Sequence, residues 1–255
     1  MPHFVNDGLS LHYEVHGSGR PVVLLHGGTV SFAGNFAAWG WIERLTAQGL
    51  QVIGLDFRGH GRSDKPHDTE LYGTAALSRD VIALIDHLGI DRASLVGYSI
   101  GSAVALHLLH ACPGRFGRSV LVATGDGLIG LPPYTFSAVL PCLVAALRQP
   151  EFPKDLPSHV AAYWTFATEV GGDRAAAAAA ASASYPPCSI EAAASIEVPV
   201  LVVSGERDPV LGRGPRLAQA LSQGHYVEIA GADHFMLARD EKVQAAVADF
   251  LAASP

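Results

Sequence analysis

The stretch Val96–Ala103, VGYSIGSA, decides how the rest of the chain is read. Ser99 stands two residues from Gly97 and two from Gly101. The apolar run Ser94–Tyr98 leads into it, and a helix-like run, Ile100–Ala111, leads out and stops before Pro113. A strand, a sharp turn and a helix in that order are the setting in which a serine is raised as a nucleophile. Such a turn strains the serine backbone and leaves no room for side chains two residues to either side, a need that glycine meets. The helix start that follows favours developing negative charge. In a chain with 27 glycines this spacing also arises by chance. The reading therefore rests on whether a base and an acid stand where the chemistry needs them.

A serine nucleophile needs a base, and the base needs an orienting acid. Of the twelve histidines, His234 in AGADHFML has the best setting, after the last expected strand and before the last expected helix. Asp208, in SGERDPV, directly follows the apolar run PVLVV (199–203). Both fall at the C-terminal ends of expected parallel strands, where open α/β sheets bind ligands. Asp126, in ATGDGL, is a rival acid. Asp233 adjoins the histidine in sequence but is poorly placed to reach its Nδ1. For the oxyanion, the glycine-rich turn LLHGGT (24–29) offers the Gly28 N–H, and the residue after the nucleophile offers the Ile100 N–H.

The wider chain fits one α/β protein. Short apolar runs at 21–25, 51–55, 94–98, 119–123, 199–203 and 226–230 read as strands buried on both faces of a parallel sheet. An alternating segment, Leu9–Val15, follows Asn6-Asp7-Gly8 and reads as half of an antiparallel hairpin. Helical spacing of Val81, Leu84, Ile85 and Leu88, and of Val243, Val247, Phe250 and Leu251, places helices between strands and at the end. About seventy residues before Pro199 hold no clear strand. There the spacing predicts helices over 135–147, 158–170 and 173–184, and the alanine run 175–181 reads as helix filler.

Composition narrows the partners. Hydrophobic residues make up 49% and charged residues 16% of 255, with a net charge of −7. That supplies a core, and without basic runs no nucleic-acid surface is expected. No apolar stretch is long enough for a membrane span, and no secretory signal stands at the first residues, so a cytoplasmic location is expected. Three widely spaced cysteines form no disulfide or zinc pattern. His107 and His110 read as helix-surface residues rather than metal ligands, because no carboxylate or cysteine set matches them. His26, Arg58, His60, Arg62 and Asp64 read mainly as structural. No metal or organic cofactor is expected, and the chain is expected to be a monomer or homodimer.

Taken together, LLHGG, DFRGHGRSDKP (56–66), GYSIG, VPVLVVSGERDPV and GADHF resemble the α/β-hydrolase superfamily in order and spacing, over essentially the whole chain. The resemblance implies a mostly parallel eight-stranded sheet with helices on both faces and a helical cap inserted after strand 6. It divides the chain into a core, 1–125 and 197–255, and a cap, 126–196. It also implies that Ser99, Asp208 and His234 form a catalytic triad. The serine sets the chain apart from branches with an aspartate nucleophile, such as haloalkane dehalogenases and soluble epoxide hydrolases.

The function expected is hydrolysis of a small or medium carboxylic ester, or a lactone, through an acyl-enzyme on Ser99. Carbon–carbon bond hydrolysis, acyl transfer, haloperoxidase-like chemistry and ligand binding on the same fold are the alternatives. Thr29, Phe32, Tyr134, Trp164 and Phe235 are candidates for contact with the substrate; Phe36, Phe136, Phe166 and Met236 are further aromatic or apolar neighbours of the same segments.

Overall fold

The structure, a computed structural model, describes residues 2–132, 136–169 and 172–253. Its strands are β1 (His3–Asn6), β2 (Leu9–His16), β3 (Arg20–Leu25), β4 (Leu50–Leu55), β5 (Ser94–Tyr98), β6 (Ser119–Val122), β7 (Val200–Gly205) and β8 (Gly224–Ile229). They form one sheet in the order β1-β2-β4-β3-β5-β6-β7-β8. β1, β2 and β4 pair antiparallel, and every pair from β4 to β8 is parallel. Asp7 and Gly8 both take positive φ, 50° and 76°, which closes the β1–β2 hairpin where Asn-Asp-Gly foretold a turn. The parallel strands are apolar on both faces because helices cover both. Val22 and Leu24 pack on one side of β3, and Val23 and Leu25 on the other.

The helices are α1 (Phe32–Asn35), α2 (Trp41–Thr46), α3 (Thr74–His87), α4 (Ile100–Ala111), α5 (Phe136–Leu147), α6 (Ser158–Glu169), α7 (Arg174–Ser182), α8 (Ile190–Ala194), α9 (Pro215–Ala220) and α10 (Glu241–Ala252). Helices α1, α2 and α10 contribute to one core, while α3, α4 and α9 contribute to the other. Between β6 and β7 lie α5 to α8. The first three stand where the spacing placed them, and the short α8 was not anticipated.

The alanine run is more than filler. Ala176–Ala181 of α7 are all buried, and the helix packs against α5 and α6. Asp173 caps it, accepting from the N–H groups of Ala175 and Ala176 at 2.9 and 3.0 Å. Alanine costs no side-chain entropy in a helix and allows a close approach to its neighbours.

A buried ion pair fixes the loop after β4. Arg58, with no exposed surface, donates from Nε and Nη2 to both oxygens of Asp80 in α3, at 2.7 and 2.5 Å. Asn6 also donates to Asp80, at 2.8 Å. The structural reading of Arg58 therefore stands on geometry: its charge would be costly to bury without this fork-to-carboxylate pairing.

Candidate active site

Ser99 lies at the β5–α4 junction with φ 54° and ψ −113°, a conformation that non-glycine residues rarely adopt. The flanking glycines are required by contact. A Cβ on Gly97 would lie 2.4 Å from the Gly101 carbonyl oxygen, and one on Gly101 would lie 2.0 Å from that of Leu25. The Ser99 N–H donates to Val122 at 2.9 Å, so the turn is tied to β6. Ser102 braces it as well, donating to the Gly97 and Val122 carbonyls at 2.8 and 2.9 Å.

His234 reaches this serine from the loop after β8. Its Nε2 lies 3.0 Å from Ser99 Oγ, and its Nδ1 lies 2.7 Å from Asp208 Oδ2. All three residues are buried. With Nδ1 protonated and donating to the carboxylate, Nε2 is the acceptor for the serine proton. The loop is held in place by Tyr98, whose hydroxyl donates to the His234 carbonyl at 2.5 Å.

Asp208 sits after β7, and its Oδ1 accepts from the N–H groups of Val210 and Leu211 at 2.8 and 3.0 Å. Burial pushes its carboxyl up, but His234 and these two donors outweigh burial and hold it below the usual carboxylate value. Asp126 does not compete for His234. It starts a short turn after β6 and accepts from the Leu217 N–H at 2.9 Å, anchoring α9. Asp233 is turned toward its own chain, accepting from the N–H groups of Phe235 and Met236 at 2.9 and 3.0 Å.

The loop 26–29 lies against the serine. A Cβ on Gly27 would be 3.5 Å from Ser99 Cβ, and one on Gly28 would be 3.0 Å from Ile100 Cδ1. Gly28 therefore lies beside Ile100, the residue that follows Ser99. Neighbouring groups in the loop are already engaged. Gly27 N–H donates to Asn35 at 2.8 Å, and Thr29 N–H donates to His60 Nε2 at 3.1 Å.

His26 donates from Nδ1 to the Gly27 carbonyl at 2.7 Å and accepts at Nε2 from the Phe57 N–H at 3.0 Å. Burial lowers the pKa of both rings, and pushes that of His60 down to about 3, with His26 nearby adding to the effect. Both rings are neutral braces of the loop.

Two cavities meet at Ser99. A closed chamber of about 30 Å³ is lined by Thr29, His60, Leu77, Leu143 and the alanines 177, 180 and 181. An open chamber of about 460 Å³ is lined by Trp39, Phe166, His234, Phe235 and Arg239. Gly27, Gly28, Ser99 and Tyr163 line both.

The expected substrate contacts divide accordingly. Thr29 and Phe235 line the chambers. Phe32 does not: its N–H donates to Asp56 at 2.8 Å, and its ring is buried against β4, where Gly54 leaves the gap that it fills. Trp164 lines neither chamber; it packs edge-on against Phe152 and beneath the Arg174 guanidinium. Tyr134 lies outside the described residues.

The residue missed is Tyr163. It is buried, its ring centroid is 6.2 Å from that of His234, and it lines both chambers beside Ser99. Burial pushes its phenol pKa up, so it stays protonated. The signal was the buried stripe Val160, Tyr163 and Ala167 at helical spacing, which leaves Trp164 on the neighbouring face.

Among the described residues, no cluster of three or more His, Cys, Asp or Glu side chains could hold a metal ion, and no helix is long and apolar enough to cross a membrane. His107 is exposed, and His110 bonds Ser195 at 2.9 Å.

A family model described as alpha/beta hydrolase fold matches residues 20–169, and one described as TAP-like protein matches residues 172–254. An uncharacterised protein of Mycobacterium tuberculosis is 34% identical over 113 residues, 44% of this chain and 31% of its own length. The chain spans about a third of the length of the curated relatives matched in this way. The non-heme chloroperoxidase of Streptomyces lividans is 29% identical over 273 residues, which covers 93% of this chain and 94% of that protein. Among solved structures, Est816, described as an N-acyl homoserine lactone degrading enzyme, superposes with a TM-score of 0.73 at 28% identity, covering 94% of this chain and 96% of that one.

Proposed function

The chain belongs to the alpha/beta hydrolase fold family, and from that premise we propose that it is a serine hydrolase of small or medium carboxylic esters or lactones, working through an acyl-enzyme on Ser99. The observation that carries this reading is the unbroken chain of hydrogen bonds from Asp208 through His234 to Ser99 Oγ.

In this mechanism His234 Nε2 takes the Ser99 proton as Oγ attacks the carbonyl carbon. Asp208 holds the ring tautomer and balances the imidazolium. The Gly28 and Ile100 N–H groups receive the oxyanion; the loss of one such donor typically raises a barrier by about 2.7–4 kcal/mol. His234 then protonates the departing alcohol. Water attacks the acyl-enzyme, gives its proton to His234, and Ser99 regains it. The likeness to Est816 supports the lactone part of the proposal.

Carbon–carbon hydrolysis finds less support. No charged side chain from 126–196 lines either chamber among the described residues, so none faces a ring-cleavage product. The full-length likeness to the chloroperoxidase supports a second use of the same acyl-enzyme, with hydrogen peroxide in place of water as the second nucleophile. The test is turnover of p-nitrophenyl esters by the wild type beside Ser99→Ala. Steady turnover lost in the variant is expected; equal turnover by the two would remove Ser99 from the chemistry.

A further inference from the structure

We propose that the substrate crosses Ser99 in one direction, with a short acyl group in the closed chamber and a larger, apolar alcohol in the open one, and that Ala177, Ala180 and Ala181 are the specificity-determining residues. The inference rests on the proposed acyl-enzyme at Ser99. It begins from proton delivery. When the tetrahedral adduct breaks down, the bond from the acyl carbon to the alkoxy oxygen breaks, and that oxygen takes its proton from His234 Nε2. The alcohol must therefore leave on the side that His234 faces. His234 lines the open chamber and not the closed one. The other substituent of the carbonyl carbon is left with the closed chamber.

The two spaces differ greatly in size, about 30 against 460 Å³. The smaller figure is room for two or three water-sized groups. The face of α7 is what keeps that space open. Its alanines carry only a methyl group each, and any larger side chain there would fill the chamber. Leu143 of α5 closes it from another side. One polar side chain in the chamber wall lacks a partner. Thr29 lines it, is 8% exposed, and its buried hydroxyl has no hydrogen-bond partner among the described residues. A buried polar atom without a partner carries a desolvation cost that a bound polar atom removes. On the other side, Trp39, Phe166 and Phe235 offer aromatic surface to an alcohol of aryl or branched alkyl type.

The test uses the full chain and two substrate series. One is p-nitrophenyl esters from acetate to octanoate; the other is acetate esters of alcohols from methanol to 2-naphthol, followed by released acid. Wild-type kcat/KM should fall by roughly tenfold or more between butanoate and octanoate, and should hold or rise as the alcohol grows. Ala177→Leu should confine turnover to acetate, and Leu143→Ala should move the optimum to longer acyl chains. The wild-type series needs no variant to fold. Octanoate favoured over acetate, or rejection of the larger alcohols, overturns the assignment while leaving the serine mechanism intact. If no ester in either series is turned over, the acyl-enzyme reading fails and takes this proposal with it.

Discussion

Asp208 keeps a buried charge, and its surroundings explain how. Two backbone N–H groups and the His234 ring hold it ionised against burial. Replacing it by asparagine keeps the shape but allows the amide to fix the wrong imidazole tautomer. Asp208→Asn is expected to lower kcat by about four orders of magnitude with KM little changed, as steady-state kinetics would show. Tyr163 is a finer probe. Tyr163→Phe removes the hydroxyl beside Ser99 and keeps the ring that separates the chambers. A fall in kcat/KM of about three- to tenfold is expected, the range of one neutral hydrogen bond, with an unchanged melting temperature. A drop in stability without a kinetic effect would make Tyr163 a packing residue. The hydrogen-bonded trio Ser99, His234 and Asp208 was legible in sequence because each sits at a strand end beside small or turn-forming neighbours. The chamber walls were less so. Phe32 follows the oxyanion loop in sequence, yet the chain turns inward through Asp56 and carries its ring into the core.

The element that matters most is the β5–α4 elbow. Its two glycines are demanded by neighbouring carbonyls, so a single added methyl group is costly. Gly101→Ala must push α4 away from the end of β3. A loss of about 2–3 kcal/mol in urea unfolding is expected, together with lost activity, since Ser99 and the Ile100 N–H move with the helix. Strands were the most legible elements: runs buried on both faces leave a continuous apolar signature, and β5 begins and ends where the sequence placed it. Helices α1, α2, α8 and α9 were not foreseen, because six or fewer residues show too little of the helical period. The face of α6 was ambiguous for a related reason. Tyr163 and Trp164 are adjacent and both aromatic, and only packing decides which one turns toward Ser99.

At the scale of the whole molecule, the loop 26–29 and the histidines that brace it make the fold sensitive to acid. His26 and His60 are buried and neutral when folded, and in the unfolded chain they protonate below about pH 6.5. The unfolded state therefore binds more protons from there down to about pH 3, where His60 itself protonates in the folded chain. Stability must fall as pH drops through this window, by about 1.4 kcal/mol per pH unit for His60, with His26 adding in the same direction. The Asp208 contribution, present above the usual carboxylate value of 3.8, is lost as pH falls from there through its lowered folded value, which adds to the decline at the acid end of this window. Unfolding midpoints from pH 8 to 4 check the slope, and His60→Asn should flatten it. A second whole-molecule prediction concerns Arg58. Asp80→Ala leaves a buried guanidinium without its carboxylate and should cost about 3–5 kcal/mol. The sheet and the meeting of Ser99, His234 and Asp208 at its strand ends were readable together because one order of motifs places both. The two-chamber shape was not readable, since it arises from α5, α6 and α7 meeting over the strand ends.

The most direct test of the acyl-enzyme is to find it. The protein is mixed with p-nitrophenyl acetate, quenched in acid within the first turnovers, and digested for peptide mass mapping. The account predicts a burst of one p-nitrophenolate per chain and an acetyl group on the peptide that contains Ser99. Rapid turnover with no burst and an unmodified Ser99 peptide would contradict it.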